Sequence, residues 1–254
     1  MIKDRLKKII KKLFPPIIFD IKNTFIKNKP KYRPLIFFQK HQFKEKLINP
    51  WHSENWIKHV ELKTNLTSKI PGRHIHIKAL CNTIDLINLL KKNKKKICIL
   101  DIGGGTGIYY QQLINAFKTI NFDKFIVYDS DSSINSGRKF YKNDSKIAFY
   151  SSEEYKLNHL TNFINDNEYS LIINISGTIH IIDDWKNFLS EVSRLNASAI
   201  CITRLPIYLD ASKDAYSIED VTSHYYGYCG STITNLFAKD SLNNYMKDLN
   251  YSHL

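Results

Sequence analysis

The stretch Lys-Ile-Cys-Ile-Leu-Asp-Ile-Gly-Gly-Gly-Thr-Gly, residues 96–107, decides the fold that we predict for this chain. Its apolar run Ile97–Leu100 has the length of a buried β-strand. Asp101 follows this run, and a segment with helical spacing of apolar residues, 108–117, follows the glycines. Glycine lets a backbone turn tightly and approach a ligand closely, and a helix N-terminus presents free N–H groups. The stretch therefore predicts a strand, a turn and a helix that together bind a nucleotide cofactor, rather than an ordinary sharp loop.

The spacing of the glycines separates the possible cofactors. A dinucleotide fingerprint, G-x-G-x-x-G, faces a pyrophosphate, but here Tyr109 and Tyr110 follow Gly107 where its last glycine would fall. A carboxylate at Asp101, two residues before Gly103, repels a pyrophosphate and suits a ligand that carries an ammonium and a sulfonium group. A P-loop is excluded because Gly-Lys-Ser/Thr is absent. These residues favour S-adenosylmethionine over NAD.

The same stretch resembles motif I of the class I S-adenosylmethionine-dependent methyltransferases, D/E-x-G-x-G-x-G, and the resemblance extends over about residues 95–250. More narrowly, the chain looks like an uncharacterised group of bacterial methyltransferases often associated with surface-polysaccharide biosynthesis. That resemblance is carried by segments 15–18, 49–56, 204–206 and 226–227. It implies a methyltransferase that acts on a cell-surface glycan or related small-molecule precursor near the membrane. The alternative is a catalytically inactive scaffold of the same fold, recruited to membranes.

Strands and helices alternate along the rest of the chain, which predicts a doubly wound α/β domain with a mostly parallel sheet, Rossmann-like as in methyltransferases. The methyltransferase fold closes with a further hairpin, of which this chain shows only the start, so we expect a truncated C-terminal edge. The predicted strands are 97–100, 124–129, 147–150, 171–175 and 199–203, and the predicted helices include 53–62, 77–90, 131–141 and 239–249.

Polar residues follow these strands at the edge of the sheet where open α/β proteins bind ligands. Asp129 lies 22 residues beyond Gly107, and we expect its carboxylate to accept hydrogen bonds from both ribose hydroxyls. Ser152 belongs to the segment after the third strand, where methyltransferases read the adenine. The predicted cofactor-binding residues are Asp101, Gly103, Gly104, Gly105, Thr106, Gly107, Asp129, Ser152 and Ser176.

Two residues are candidates for catalysis. His180, after the fourth strand, is our candidate general base for an oxygen acceptor, and its alternative role is a helix-cap or packing histidine. Arg204, at the end of the fifth strand, is expected to hold an anionic sugar or phosphate, or else to pair with Asp183. We interpret the tyrosine-rich segment 207–238, which contains His224, as an acceptor-binding flap.

Basic residues are concentrated at the N-terminus. Residues 1–50 contain 14 Lys or Arg against three acids, which gives +11 of the total charge of +13. Residues 1–14 place apolar side chains on one helical face between lysines, which predicts a helix that binds an anionic membrane surface or packs on its own domain. Because the basic residues alternate with Ile and Leu, nucleic-acid binding is disfavoured. We expect a basic arm over 1–50 and a methyltransferase-like domain over 51–254, with a helical cap at 51–92.

The apolar runs and the cysteines indicate which cellular compartment to expect for the protein. No uninterrupted apolar segment approaches the roughly 18 residues that a bilayer-spanning helix needs. The cysteines are far apart and form no C-x-x-C pair, which favours a reducing compartment and argues against a zinc site. We expect the protein to lie in the cytoplasm, in contact with the inner face of the membrane, and to have no metal site. The cysteines are Cys81, Cys98, Cys201 and Cys229.

Overall fold

The computed structural model describes residues 50–69, 77–91, 95–116, 120–166, 168–208, 213–220 and 231–252. The helix predicted at 1–14 lies outside these residues, as does the basic arm up to residue 49. Residues 209–212 and 221–230 of the predicted flap, including His224, also lie outside them.

Helices and strands alternate through the described chain. Two helices precede the first strand: α1 (Glu54–Lys69) and α2 (Ile77–Lys91). The strands of the main sheet are β1 (Lys96–Ile102), β2 (Lys124–Asp129), β3 (Ile147–Ser151), β4 (Tyr169–Ser176) and β5 (Ala199–Thr203). The helices that follow the first four of them are α3 (Ile108–Ala116), α4 (Asp131–Phe140), α5 (His159–Asp166) and α6 (Trp185–Ser193). The chain continues with β6 (Ile207–Tyr208), β7 (Ala215–Asp220), β8 (Ser231–Ala238) and α7 (Ser241–Asp248).

The main sheet has the order β3-β2-β1-β4-β5, and all its neighbouring strands are parallel. The direction of chain progression reverses between β1 and β4. In open α/β sheets, ligands bind beyond the carboxyl ends of the strands at such a reversal. This architecture confirms the predicted doubly wound α/β fold.

Side chains of β1 alternate between the two faces of the sheet. Cys98, Leu100 and Ile102 belong to one buried cluster, together with residues of α5 and α6. Ile97 and Ile99 belong to a second cluster, together with residues of α2, α3 and α4. Because helices cover both faces, β1 is apolar almost throughout, as expected for a strand buried on both sides. Full burial of one large aliphatic side chain stabilises the fold by about 1.5–3 kcal/mol.

The predicted element boundaries agree with the structure to within a few residues at most positions. Asp184 caps α6, since its Oδ1 accepts a hydrogen bond from the Asn187 N–H at 3.2 Å. Helix α1 extends seven residues beyond the predicted 53–62. Helix α5 was not predicted. None of the helices in the described part of the chain is long and apolar enough to cross a bilayer.

The segment predicted as a flap contains a second sheet in its described residues. Its order is β6-β8-β7, with β7 and β8 antiparallel. The sheet packs on the main domain, because Phe237 of β8 is buried and its ring lies 5.2 Å from that of Trp185. Within the described residues, the main sheet ends at β5.

Gly137 in α4 provides a test of the packing against β3. Replacing a helical glycine by alanine ordinarily stabilises a helix by about 1 kcal/mol. Here the added Cβ would overlap the ring of Phe149, and overpacking costs about 1–3 kcal/mol. We therefore expect Gly137→Ala to lower the free energy of unfolding measured in urea. In a Phe149→Leu background the same change should be neutral or stabilising; a stabilising effect in the wild-type background would contradict the packing.

Candidate functional site

Asp101 lies inside β1 rather than after it, which corrects the predicted end of the strand at Leu100. Its side chain is 1% exposed. Asn174, its register neighbour on β4, donates a hydrogen bond from Nδ2 to Asp101 Oδ1 at 2.6 Å. The other oxygen, Oδ2, is buried and has no hydrogen-bond partner among the residues that the structure describes. The site thus contains a buried carboxyl oxygen that can accept a hydrogen bond and receives none.

Burial raises the pKa of Asp101 to about 8. The hydrogen bond from Asn174 opposes this rise, and the negative charge of nearby Asp129 adds to it. The carboxyl group therefore holds a proton over much of the neutral range. A cation placed next to it would favour the carboxylate instead.

The glycine turn lies directly on this carboxyl group. Gly103 has a φ of +73°, a conformation that favours glycine. A Cβ on Gly104 would overlap Asp101 Oδ2, and one on Gly103 would overlap Thr178 Oγ1. The bare backbone of the turn thus fills the space between the end of β1 and the segment that follows β4.

Helix α1 lies across the turn. Its Thr64 hydroxyl is 2.6 Å from the hydroxyl of Thr106, which is fully buried. Glu61 accepts a hydrogen bond from Ser136 of α4 at 2.6 Å, and Asn115 of α3 donates to the carbonyl oxygen of Thr67 at 3.0 Å. These three contacts fix α1 over the glycine turn and the helices on either side of it.

Asp129 stands at the end of β2 and faces the same turn. Its Oδ2 accepts a hydrogen bond from the Gly105 N–H at 2.7 Å, and its Oδ1 accepts one from the Ser130 N–H at 2.6 Å. Burial raises the pKa of Asp129, and these backbone N–H groups oppose the rise. Ser152 is exposed, and its N–H donates to the carbonyl oxygen of Asp129 at 2.8 Å. The structure thus brings Asp101, the turn, Asp129 and Ser152 to one edge of the sheet.

Ser176, at the end of β4, contacts other protein groups. Its hydroxyl is 2.6 Å from the Tyr109 hydroxyl and accepts a hydrogen bond from Thr203 at 2.9 Å. Ser176 and Tyr109 are both buried, and burial raises the pKa of Tyr109. Ser176 therefore links α3 to the ends of β4 and β5.

Arg204 follows β5 with a φ of +60°. Holding a residue other than glycine in this conformation costs roughly 1–3 kcal/mol. Its guanidinium lies against the backbone of Gly177, where an added Cβ would be 2.8 Å from Arg204 Cζ. The positive charge of Arg204 also favours the ionised form of Tyr109. No salt bridge between Arg204 and Asp183 occurs among the described residues.

His180 lies in a 3₁₀ turn, Ile179–Ile181, three residues beyond Gly177. Asn235 of β8 donates hydrogen bonds to the carbonyl oxygens of His180 and Ile182, at 3.0 and 2.7 Å. The second sheet thereby holds the backbone of this turn in place at the carboxyl edge of the main sheet.

Sequence reasoning did not identify three residues that organise the site. Asn174 was detectable, because it is a polar residue inside the apolar run that formed the predicted fourth strand. Tyr109 and Thr64 could not be identified from the sequence, since their partners, Ser176 and Thr106, lie 67 and 42 residues away along the chain.

Comparisons with known proteins place methyltransferases among the structural neighbours of this chain. A Nostoc punctiforme protein assigned as an O-methyltransferase has a TM-score of 0.36 and 12% identity, over 68% of this chain and 50% of its own. An S-adenosylmethionine-dependent methyltransferase of Aquifex aeolicus has a TM-score of 0.36 and 17% identity, over 68% of this chain and 98% of its own. The plantazolicin methyltransferase BpumL, solved with S-adenosylhomocysteine, has a TM-score of 0.35 and 16% identity, over 64% of this chain and 59% of its own.

These likenesses are weak. The chain spans only about half of the Nostoc protein, and all three TM-scores lie below 0.5. No protein-family model matches the chain, and no curated protein does.

The contact between Thr64 and Thr106 can be tested with a double-mutant cycle. Thr64→Val should cost about 1–3 kcal/mol of unfolding free energy, because it leaves the buried Thr106 hydroxyl without its partner. Adding Thr106→Val should recover most of this loss, since both polar groups are then gone. Thr67→Val is the control, since its hydroxyl bonds only within α1, to the carbonyl oxygen of Lys63. If the double variant loses as much unfolding free energy as the two single variants, Thr64→Val and Thr106→Val, lose together, the contact is contradicted.

The buried carboxyl group predicts a pH dependence of stability. Because the folded pKa of Asp101 is raised from 3.8 to about 8, the folded state binds a proton that the unfolded state has already lost. The contribution of the Asp101 carboxyl group to the free energy of unfolding should therefore decrease as pH rises from about 4 to 8, on the order of 1 kcal/mol per pH unit. Asp101→Asn should remove this contribution. Urea unfolding of both proteins across that range measures the difference, and parallel pH profiles would contradict it.

Proposed function

We propose that this chain is an S-adenosylmethionine-dependent methyltransferase whose cofactor lies at the carboxyl ends of β1 and β2. The observation that carries the proposal is the glycine turn at the carboxyl end of β1, whose bare backbone lies over the buried Asp101 and is faced by Asp129 of β2. A turn without side chains lets a ligand approach the backbone closely. The two acids beside it suit a ligand with positive charge, such as the ammonium and sulfonium groups of S-adenosylmethionine.

The remaining residues suit the other parts of the cofactor. We assign the ribose hydroxyls to Asp129, because its carboxyl group stands at the end of β2 and faces the glycine turn, and a carboxylate has the acceptor oxygens that two hydroxyl groups need. We assign the adenine to the exposed Ser152 and the residues beside it. The hydroxyl of Ser176 already contacts Tyr109 and Thr203. We therefore give Ser176 the role of positioning Tyr109, in place of the direct cofactor contact predicted from sequence.

The bound cofactor would supply an activated methyl group on its sulfonium, so the chain itself must mainly align the acceptor and accept a proton. Alignment is worth up to about 7–11 kcal/mol of the barrier. We propose His180 as the group that takes the proton, because the second sheet holds its turn at the carboxyl edge of the main sheet. A general base adds roughly 10²–10⁴-fold to the rate.

Two parts of the hypothesis derive from the sequence alone. A cell-surface glycan precursor as acceptor rests on the narrower family resemblance, and membrane contact rests on residues 1–14. Both stay predictions, as does the cytoplasmic location. The scaffold alternative requires the same fold without turnover, and no contact among the described residues favours it.

Calorimetry of the full chain tests the cofactor assignment. We expect S-adenosylmethionine and S-adenosylhomocysteine to bind and NAD not to bind. Asp129→Asn should weaken S-adenosylhomocysteine about ten- to hundredfold, since it removes a charged acceptor from two hydroxyl groups. Asp131→Asn is the matched control, because this residue lies two positions away in the first turn of α4, and it should change the affinity little.

Three outcomes would count against the proposal. Binding of NAD alone would point to an oxidoreductase. Equal losses in Asp129→Asn and Asp131→Asn would remove Asp129 from the site. Tight binding of S-adenosylmethionine without methyl transfer to any fraction of a cell lysate would favour the scaffold.

A further inference from the structure

The amino ends of the parallel strands form the edge of the main sheet opposite to the glycine turn. Neighbouring strands of a sheet lie about 4.8 Å apart, so the starts of β1 and β3 are separated by about 10 Å. Hydrogen bonds tie these starts together. The Asp123 N–H donates to the carbonyl oxygen of Ile97 at 2.8 Å, and the Phe125 N–H donates to that of Lys146 at 2.9 Å. The residues that begin β1, β2 and β3 therefore share one edge.

Lysines are concentrated at this edge. Lys96 and Lys124 are the first residues of β1 and β2, and Lys146 directly precedes β3. The Lys124 Nζ donates to the carbonyl oxygen of Ser145 at 2.7 Å, which connects the start of β2 to the turn before β3. We use the name basic edge for the described lysines at these strand starts and at the ends of α2 and α4 that lead to them: Lys91, Lys95, Lys96, Lys124, Lys139, Lys142 and Lys146.

The acids at these strand starts are fewer than the lysines. Asp123 Oδ2 accepts a hydrogen bond from the Ile97 N–H at 2.8 Å. Asp144 Oδ1 accepts one from the Lys146 N–H at 3.0 Å, and Glu168 precedes β4. In the described part of the chain, the seven lysines thus exceed these three acids. Because the strand starts are no farther apart than roughly one Debye length, about 8–10 Å, a large anionic surface meets their charges together.

An exposed aromatic side chain lies beside these lysines. Phe140, the last residue of α4, is 44% exposed. It lines a depression of about 720 Å³ together with Lys139, Lys142 and Ile114 of α3. At a lipid surface an apolar ring enters the headgroup layer, while lysines keep their ammonium groups at the phosphates. The surface thus combines the two kinds of side chain that bind the interface of a membrane.

We infer that the basic edge docks on an anionic lipid surface, with Phe140 entering the headgroup layer. Lysines act as point charges toward a diffuse anionic layer, whereas the contacts of nucleic-acid phosphates favour arginine forks. The arginine nearest to Phe140 in sequence, Arg138, donates instead to the carbonyl oxygen of Phe149 on β3 at 3.1 Å. The inference requires neither methyl transfer nor the helix predicted at 1–14.

Docking in this way fixes the orientation of the domain. The glycine turn lies at the other end of β1, and a strand of seven residues is about 23 Å long. The carboxyl edge with Asp101 and Asp129 would therefore face away from the lipid. Small ligands would reach it from the aqueous side while the protein is bound to the membrane.

Sedimentation of the full chain with vesicles tests the inference. We expect binding to vesicles of phosphatidylcholine and phosphatidylserine, weakened by salt, and much less binding to phosphatidylcholine alone. The triple variant Lys95→Gln, Lys96→Gln, Lys142→Gln should lower the partition coefficient about a hundredfold, because each basic residue near an anionic surface contributes roughly fivefold. The same three positions changed to arginine should retain the binding, and urea unfolding checks that each variant is folded.

The controls remove equal charge or equal apolar surface elsewhere. Lys186, Lys213 and Lys239 are exposed lysines around the start of α6 and the end of β8, and changing all three to Gln should leave the partition coefficient near that of the wild type. Phe140→Ser should lower it about fivefold. Ile207→Ser, at a residue of β6 that is 51% exposed, should not. Equal losses in variants and controls would overturn the inference.

Other outcomes also decide. If the triple glutamine variant of the basic edge binds vesicles like the wild type, other residues make the contact and the inference is wrong. If a DNA or RNA duplex binds through these lysines while vesicles do not bind, the partner is a nucleic acid. If saturating vesicles weaken S-adenosylhomocysteine more than about twofold, the carboxyl edge meets the lipid and the orientation is overturned. If S-adenosylhomocysteine fails to bind without vesicles, the proposed function fails, whereas vesicle binding through the basic edge would still support this inference.

Discussion

The carboxyl group of Asp101, buried between two parallel strands, is the constraint on which the site depends. Burying an acid without a full set of hydrogen bonds is costly, and Asn174 satisfies only one of its oxygens. The glycine turn must pass directly over the other oxygen, and only a residue without Cβ fits there. The carboxyl group thus dictates both the neighbouring residue on β4 and the composition of the turn.

The covering helix follows from the same geometry. A turn made of glycines has few side chains with which to hold a neighbouring element, and Thr106 is the exception. Its hydroxyl contacts Thr64, while Glu61 reaches Ser136 on the next helix. Val60 of α1 is also buried and lies next to Gly105, so polar contacts and apolar packing together keep α1 in place over the turn.

The carboxyl edge of the main sheet has two regions of opposite character. Acidic residues lie on the side of β1 and β2, where burial raises the pKa of both Asp101 and Asp129, and the charge of Asp129 raises the pKa of Asp101 further. Arg204 lies on the side of β5, where its positive charge favours the ionised form of Tyr109.

The sequence by itself determined the five strands of the main sheet, the glycine turn and the two acids near it. These features could be predicted because apolar periodicity and glycine spacing are local properties of the chain. It also indicated Arg204 at a strand end. Only the tertiary structure decided that Asp101 lies within the strand and bonds to Asn174, that Ser176 contacts Tyr109, and that Thr64 contacts Thr106. These contacts join residues far apart in the chain, and their partners are fixed by strand register and helix packing, which no local pattern contains.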